Sequence, residues 1–362
     1  MNGAHDNSRL VRVLVADDSA FMRTALTRMI ESDPGLRVSG TAQNGIETLE
    51  KITTLQPDVV TLDVEMPKLN GLETLKRIMQ ETPRPVIMVS SLTQEGAETT
   101  LDALANGAFD YVPKQLSYVS LDIIKIRDDL VEKIKAAAES GRRKPVGRIT
   151  QPPSGEVKAS PSAGLHVPPS VVALGTSTGG PKALQQILPT LPADLPVGVL
   201  VVQHMPQGFT GPFARRLDGL CKASVREAVH DEPVEAGVVY IAPAGQHMTV
   251  LRRTPSKVAI RLSHSPDNRP HIPSVDVMML SVAEVYGAFS MGIIMTGMGA
   301  DGLQGMQAIA RQGGITVGQD EASCTVYGMP RSCAEAGVLQ RVVPLPRIPE
   351  QILLATRYRQ RA

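Results

Sequence analysis

The 362-residue chain has no tryptophan, only 3% aromatic residues and three cysteines. Cys221, Cys324 and Cys333 are odd in number and lack CxxC spacing. That excludes a disulfide framework and a zinc knuckle, and fits reduced thiols in a reducing compartment. Charge of one sign is missing too, since 37 Lys and Arg face 36 Asp and Glu. Such a balance offers no field to hold a nucleic-acid backbone or an anionic membrane, so nucleic acid is not an expected partner. No stretch reaches the ~18 apolar residues of a membrane span, and the opening MNGAHDNSRLVRV has no apolar core of signal-peptide length. A cytoplasmic protein without direct membrane insertion is the expectation.

The chain is otherwise ordinary: 42% hydrophobic and 20% charged residues suffice for buried cores and exclude wholesale disorder. At roughly 150 residues per domain, the length predicts two domains and a connector. Val- and Ile-rich runs at 11–16, 58–62, 86–91 and 108–112 alternate with amphipathic stretches such as 20–31 and 71–81, the pattern of a parallel sheet covered by helices. Residues 122–139 read as a further helix. From Ser140 to about Ser170, Pro, Gly, Ser and basic residues replace any apolar period, as in a solvated linker. The alternation resumes at 171–175, 197–203 and 289–296, with helical stretches at 181–188 and 302–311. Between them, VVYIAP and MTVLRR look like paired strands of a hairpin region within 225–262. The expected division is 1–125, a helix and flexible linker over 126–169, and 170–362.

In the first domain, Asp17 and Asp18 follow the first strand and Asp63 the third, so a parallel sheet brings all three carboxylates to its carboxyl-terminal edge, where such sheets bind ligands. Three close carboxylates repel one another unless a cation lies among them, and an all-oxygen set suits Mg²⁺. Ser90 closes the fourth strand and Lys114 follows the fifth, adding a hydroxyl and an ammonium that can hold phosphoryl oxygens on Asp63. Taken alone, Asp17-Asp18-Ser19 would read as the cap of the next helix.

In the second domain, the strand VVAL runs into Gly175-Thr176-Ser177-Thr178-Gly179-Gly180-Pro181, a turn that sets Ser177 at a strand-to-helix corner. A serine hydroxyl needs a base, and His204 ends the strand VGVLVVQ on the same rim. Asp301, in the glycine-rich turn TGMGADG after another apolar strand, is placed to orient the imidazole. Backbone N–H groups of Met298 and Thr178 are candidate oxyanion donors. His247, His264 and His271 are competing bases, and Asp231 with His247 gives an alternative Ser, Asp, His order. The dinucleotide and P-loop patterns are both absent.

Two resemblances follow from these segments. VLVADDSAFMR, TLDVEMPKLNGLE, VIMVSSLT and GAFDYVPK resemble the receiver domain of two-component response regulators. That likeness implies a flavodoxin-like domain with a parallel five-stranded sheet and an aspartyl phosphate at Asp63. It also implies Mg²⁺ on Asp17, Asp18 and Asp63, phosphate contacts from Ser90 and Lys114, and a switch aromatic at Tyr111. Pro113 precedes Lys114 and Gln115 follows it, where the family usually has Pro after the Lys. GTSTGGPKAL, VVQHMP, YIAPAGQHM, PSVDVM, TGMGADG and DEASCTVYGMPRSCAEAG resemble the catalytic domain of the CheB family of chemotaxis protein-glutamate methylesterases. That likeness implies a doubly wound α/β hydrolytic domain with a Ser177, His204, Asp301 triad and the Met298 amide as oxyanion donor, working without a metal. The implied substrates are glutamate γ-methyl esters and certain glutamines of methyl-accepting chemoreceptors, and the implied phosphodonor is a chemotaxis histidine kinase. Thr176 stands where that family often has Ala, and Ile272 where an Arg is common.

Overall fold

The computed structural model describes residues 10–91, 93–114, 120–142 and 167–358. The chain divides into two compact units, Met1–Ile149 and Thr150–Ala362. The expected connector beyond Arg142, up to residue 166, lies outside the described residues, as does Gln115.

The first unit runs β1 (Val11–Ala16), α1 (Ala20–Glu31), β2 (Leu36–Ala42), α2 (Gly45–Leu55), β3 (Val59–Asp63), α3 (Gly71–Glu81), β4 (Val86–Ser90), α4 (Gln94–Ala105), β5 (Asp110–Pro113) and α5 (Ser120–Arg142). Its five strands form one sheet in the order β2-β1-β3-β4-β5, with every pairing parallel. Strands covered on both faces read as continuous apolar runs, and β3 and β4 are buried along their whole length. The edge strand β2 (LRVSGTA) buries only its two ends, so its apolar signal in the sequence is weak. Helices start at side-chain caps: Ser19, Asn44, Asn70 and Thr93 each accept a hydrogen bond from the first turn. α5 buries Leu130, Ile134, Ala137 and Ala138.

The second unit follows with β6 (Val171–Thr176), α6 (Gly180–Ile187), β7 (Gly198–Gln203), α7 (Thr210–Asp218), β8 (Ser224–Glu227), β9 (Val238–Ile241), β10 (His247–Thr254), β11 (Lys257–Ser263), α8 (Val275–Tyr286), β12 (Ser290–Ile294), α9 (Leu303–Arg311), β13 (Ile315–Gln319), α10 (Met329–Glu335), β14 (Arg341–Val343) and α11 (Ile348–Ala355). Seven strands form a parallel sheet in the order β14-β13-β12-β6-β7-β9-β8, and β10 pairs antiparallel with β11 in a separate hairpin. The expected pairing of VVYIAP with MTVLRR is therefore wrong. VVYI is buried at all four positions and joins β7 inside the large sheet, whereas β10 exposes its Arg-rich end and takes β11 as partner. An interior parallel strand is buried along its length, as VVYI is, whereas β10 is buried at its start and exposed from Leu251 onward.

The core of this unit packs Val171, Ala173, Leu200, Val202 and Tyr240 of the sheet against Met278, Met279 and Val282 of α8 and Met306 and Ile309 of α9. Each Val, Leu, Ile or Met side chain among these, when fully buried, stabilises the fold by roughly 1.5–3 kcal/mol. In both sheets the strand order reverses beside the strand that opens the unit: between β1 and β3 in the first, and between β6 and β12 in the second. Ligand sites of open α/β sheets lie at the carboxyl ends of the strands at such reversals. Among the described residues no helix is long and apolar enough to cross a membrane.

Candidate active site and phosphoacceptor

At the β1/β3 reversal the carboxylates of Asp17, Asp18 and Asp63 offer ligand oxygens all within 4.8 Å of one another. Ser19, not an aspartate, caps α1 and takes the Met22 N–H, while Asp17 is fully buried. Lys114 Nζ lies 2.6 Å from Asp63 Oδ2 and 3.2 Å from Asp17 Oδ2. Burial pushes the Asp63 carboxyl up to about 6, and the neighbouring Asp17 charge adds to this against the opposing pull of Lys114. The Lys114 ammonium is held above its usual range despite burial, because both carboxylates favour its charge. This all-oxygen set, crowded with like charge, suits Mg²⁺. Ser90 is buried at the end of β4, and its hydroxyl donates to the carbonyls of Ser91 and Gly96, each at 3.2 Å. Tyr111 lies inward on β5, and burial holds its hydroxyl well above the ordinary range. Lys133 of α5 donates to the Tyr111 carbonyl at 2.8 Å and lies over the Tyr111 ring.

At the β6/β12 reversal, Ser177 follows β6, His204 follows β7, and Asp301 lies in the turn after β12. His204 Nε2 and Asp301 Oδ2 are 2.8 Å apart. Ser177 is tied to the same rim through its main chain. Its N–H donates to the Thr296 carbonyl at 3.0 Å, and the His204 N–H donates to the Thr176 carbonyl at 3.2 Å. The second ring nitrogen of His204, Nδ1, is buried and makes no hydrogen bond among the described residues. With Nε2 donating to the carboxylate, Nδ1 is left as a lone pair, the state a general base requires.

Asp301 is the most heavily bonded group on the rim. Its Oδ2 also accepts the Val275 N–H at 2.7 Å, and its Oδ1 accepts the Ser274 hydroxyl at 2.8 Å and the Asp276 N–H at 3.0 Å. Burial alone would raise its pKa, but the hydrogen bond from His204, with the N–H groups of Asp276 and Val275, holds it far below the usual carboxylate range. Those N–H groups open α8, so the carboxylate also sits where a helix dipole favours negative charge. The arrangement is reciprocal: Asp276 Oδ1 accepts the N–H groups of Gly302 and Gly305, at the start of α9. Each aspartate thus caps the helix at whose start the other stands.

Gly297 lets the 296–299 loop close on the serine, since a Cβ there would lie 2.8 Å from Ser177 Cβ. The loop is pinned by Thr296, whose hydroxyl donates to the Thr178 carbonyl at 2.9 Å and accepts the Val326 N–H at 3.0 Å. Among the described residues, neither the Thr178 nor the Met298 N–H donates to another main-chain group.

The competing bases separate on their surroundings. His247 is fully buried and both nitrogens are in use, Nδ1 accepting the Ser274 N–H at 3.1 Å and Nε2 donating to the Pro266 carbonyl at 2.8 Å. Burial lowers its pKa, so it serves as a neutral structural bridge. Asp231 is paired with Arg253 on the surface. His264 is bonded through Nδ1 to the Gly245 carbonyl, and His271 stacks on the His204 ring with centroids 4.1 Å apart. Sequence reasoning missed Gln203, Ser274, Asp276 and Thr296 as supports of this rim. Gln203 lies in VVQHMP, Ser274 and Asp276 in PSVDVM, and Thr296 opens TGMGADG, so each falls within a segment that carries the resemblance, though none was assigned a role.

Residues 172–352 match the family model for CheB methylesterase, and residues 13–123 that for the response regulator receiver domain. The chain is 46% identical over 370 residues to protein-glutamate methylesterase/protein-glutamine glutaminase 1 of Oleidesulfovibrio alaskensis, covering 96% of this chain and 99% of that one. It is 49% identical over 356 residues to the protein-glutamate methylesterase/protein-glutamine glutaminase of Symbiobacterium thermophilum, covering 96% and 97%. Among solved structures, the Thermotoga maritima CheB methylesterase catalytic domain is similar, with TM-score 0.50 and 39% identity over 52% of this chain and 99% of that one.

Proposed function

This chain belongs to the CheB family of protein-glutamate methylesterases, and from that premise we propose that Ser177, His204 and Asp301 carry its hydrolytic step and that phosphorylation of Asp63 governs it. The enzyme is a hydrolase of the protein-glutamate methylesterase and protein-glutamine glutaminase type, with a response-regulator receiver that gives it a phosphorylation-regulated role in chemotaxis. Its substrates are then γ-methyl-glutamyl side chains and certain glutamines on methyl-accepting chemoreceptors. We assign the receiver to residues 1–125, the helix and linker to 126–169, and the catalytic part to 170–362.

The observation that carries the reading is the His204–Asp301 bond at 2.8 Å, with the opposite imidazole nitrogen left open on the rim that bears Ser177. Ser177 Oγ attacks the side-chain carbonyl carbon and its proton passes to His204 Nδ1. Asp301 stabilises the imidazolium that forms, and its four contacts keep it ionised while it does so. The Met298 and Thr178 N–H groups receive the oxyanion. His204 returns the proton to the leaving oxygen as methanol departs. It then takes a proton from the water that splits the acyl-enzyme and passes it to Ser177 Oγ, which restores the serine and leaves a glutamate. A glutamine passes through a similar tetrahedral intermediate, with ammonia as a poorer leaving group, so deamidation is the slower reaction.

In the receiver, Asp63 is the phosphoryl acceptor and a chemotaxis histidine kinase the phosphodonor. Asp17, Asp18 and Asp63 would hold Mg²⁺, which when bound neutralises phosphoryl charge. Lys114 supplies a fixed positive charge to the same oxygens, Ser90 a hydroxyl and Tyr111 the aromatic that reports occupancy. Methanol release from methylated receptors, with and without a phosphodonor, tests the reading. Wild type releases methanol faster with phosphodonor and Ser177→Ala releases none. Unchanged release by Ser177→Ala would reduce the second unit to a receptor-binding adaptor.

A further inference from the structure

We propose that Gln203 is a positioning residue for the hydrolytic step, its side-chain amide clamping the main chain of the nucleophile to the main chain of the base. The inference rests on the assignment of Ser177 and His204 above. Gln203 is the last residue of β7, in register with Thr176 at the end of β6, and only 2% of it is exposed. Its Nε2 donates to the Ser177 carbonyl at 3.0 Å and to the His204 carbonyl at 2.9 Å. Both amide protons are therefore committed to the two residues between which a proton must pass. The Ser177 carbonyl takes a second donor, the Gly180 N–H at 2.8 Å, so this end of the turn is held from both sides.

The other end of the amide is left without a partner. Gln203 Oε1 is buried and makes no hydrogen bond among the described residues. It fits there because Gly180 lacks a Cβ, which would lie 2.0 Å from that oxygen. A buried acceptor without a donor loses its hydration and gains nothing in return. An apolar side chain of the same length would spare that loss but leave the His204 carbonyl without its donor. What the amide supplies is the pair of bonds it donates, and these bear on the Ser177–His204 separation. A displacement of ~1 Å at reacting groups is enough to cost about a hundredfold in rate.

The test uses the full-length chain with phosphodonor and methylated receptor, comparing wild type, Gln203→Met, Gln203→Glu and Ser177→Ala. Gln203→Met removes the unpaired oxygen while leaving the His204 carbonyl without its donor, so its effects on stability oppose each other. Expected for Gln203→Met is a kcat lower by about ten- to a hundredfold, with KM within twofold and a thermal midpoint near that of wild type. Gln203→Glu keeps the shape but turns acceptor oxygens toward two carbonyls, and lowers kcat at least as far. A folded Gln203→Met with kcat within threefold of wild type overturns the proposal, as does a loss expressed only in KM. Should Gln203→Met fail to fold, Gln203→Glu carries the test by the same criteria, and failure of both assigns the residue to the core and ends the idea. The Ser177→Ala arm separates the two claims. Methanol release by that variant defeats the nucleophile assignment, whereas its loss beside an unimpaired Gln203→Met defeats only the role of Gln203.

Discussion

Asp301→Asn is the most informative single change, because the isosteric amide cannot satisfy all four partners of the carboxylate. If the amide oxygen takes the Oδ1 position, it keeps the Ser274 hydroxyl and Asp276 N–H, and its NH₂ then faces the Val275 N–H and His204 Nε2. Nε2 must then present a lone pair, which moves the ring proton to Nδ1 and disables the base. If the amide is flipped, Nε2–H and the Val275 N–H are satisfied, but an N–H opposes the Asp276 N–H. Either way at least one charge-assisted bond is lost, worth ~1.5–3 kcal/mol. For a folding unit of this size that lowers the thermal midpoint by roughly 3–12 °C. The imidazolium formed during attack also loses its counter-charge. The rate loss for such a change is on the order of 10²–10⁴-fold, equivalent to about 2.7–5.5 kcal/mol of barrier. Steady-state methanol release should show this loss in kcat with KM close to wild type. A kcat within threefold of wild type would refute the reasoning, because a neutral residue would then orient His204 as well as a carboxylate does.

The receiver and the hydrolytic site respond differently to metal removal: chelation of Mg²⁺ should abolish stimulation by phosphodonor and leave unstimulated methanol release intact, and equal inhibition of both would contradict the assignment. Asp63→Ala should keep the unstimulated rate and lose the response to phosphodonor, read in the same assay, and stimulation that persists would move the acceptor elsewhere. Gly180→Ala drives a methyl to within 2.0 Å of Gln203 Oε1 and 2.4 Å of Thr176 Oγ1. It should destabilise the chain by ~1–3 kcal/mol in denaturant titrations, and an unchanged midpoint would show that the turn relaxes freely. Burial pushes the thiols of Cys221 and Cys333 up to about 11 and about 12. A raised thiol pKa means a smaller thiolate fraction at every pH below it. Alkylation of Cys221 at pH 8 should therefore run about 200-fold slower than for a free cysteine, and rapid labelling of the native chain at either residue would contradict this.

The alternation of apolar runs and amphipathic stretches was enough to announce two parallel sheets, because interior parallel strands cannot hide their composition. It faltered where strands are half-exposed: β2 carries polar residues through its middle, and the hairpin partner of β10 was misassigned because VVYI and MTVL look alike as short runs. The strand-end positions of Asp17, Asp63, Ser177 and His204 follow from one rule, that polar residues ending apolar strands share a rim. What holds the rim did not show in the sequence. An amide spanning two carbonyls, as in Gln203, leaves no periodic trace. The exchange of caps between Asp276 and Asp301 depends on α8 and α9 starting side by side, which only the folded chain reveals. His247 illustrates the converse, since a histidine near a candidate site is disqualified only when both its nitrogens are found occupied.

Ser177 as nucleophile requires His204 as its base. Reaction of the native chain with a fluorophosphonate, followed by peptide mass mapping, tests it most directly. One residue, Ser177, should be phosphonylated, in step with loss of methanol release and much more slowly in His204→Ala. Full inactivation with the added mass on another residue, or labelling of Ser177 at an undiminished rate in His204→Ala, would contradict this assignment.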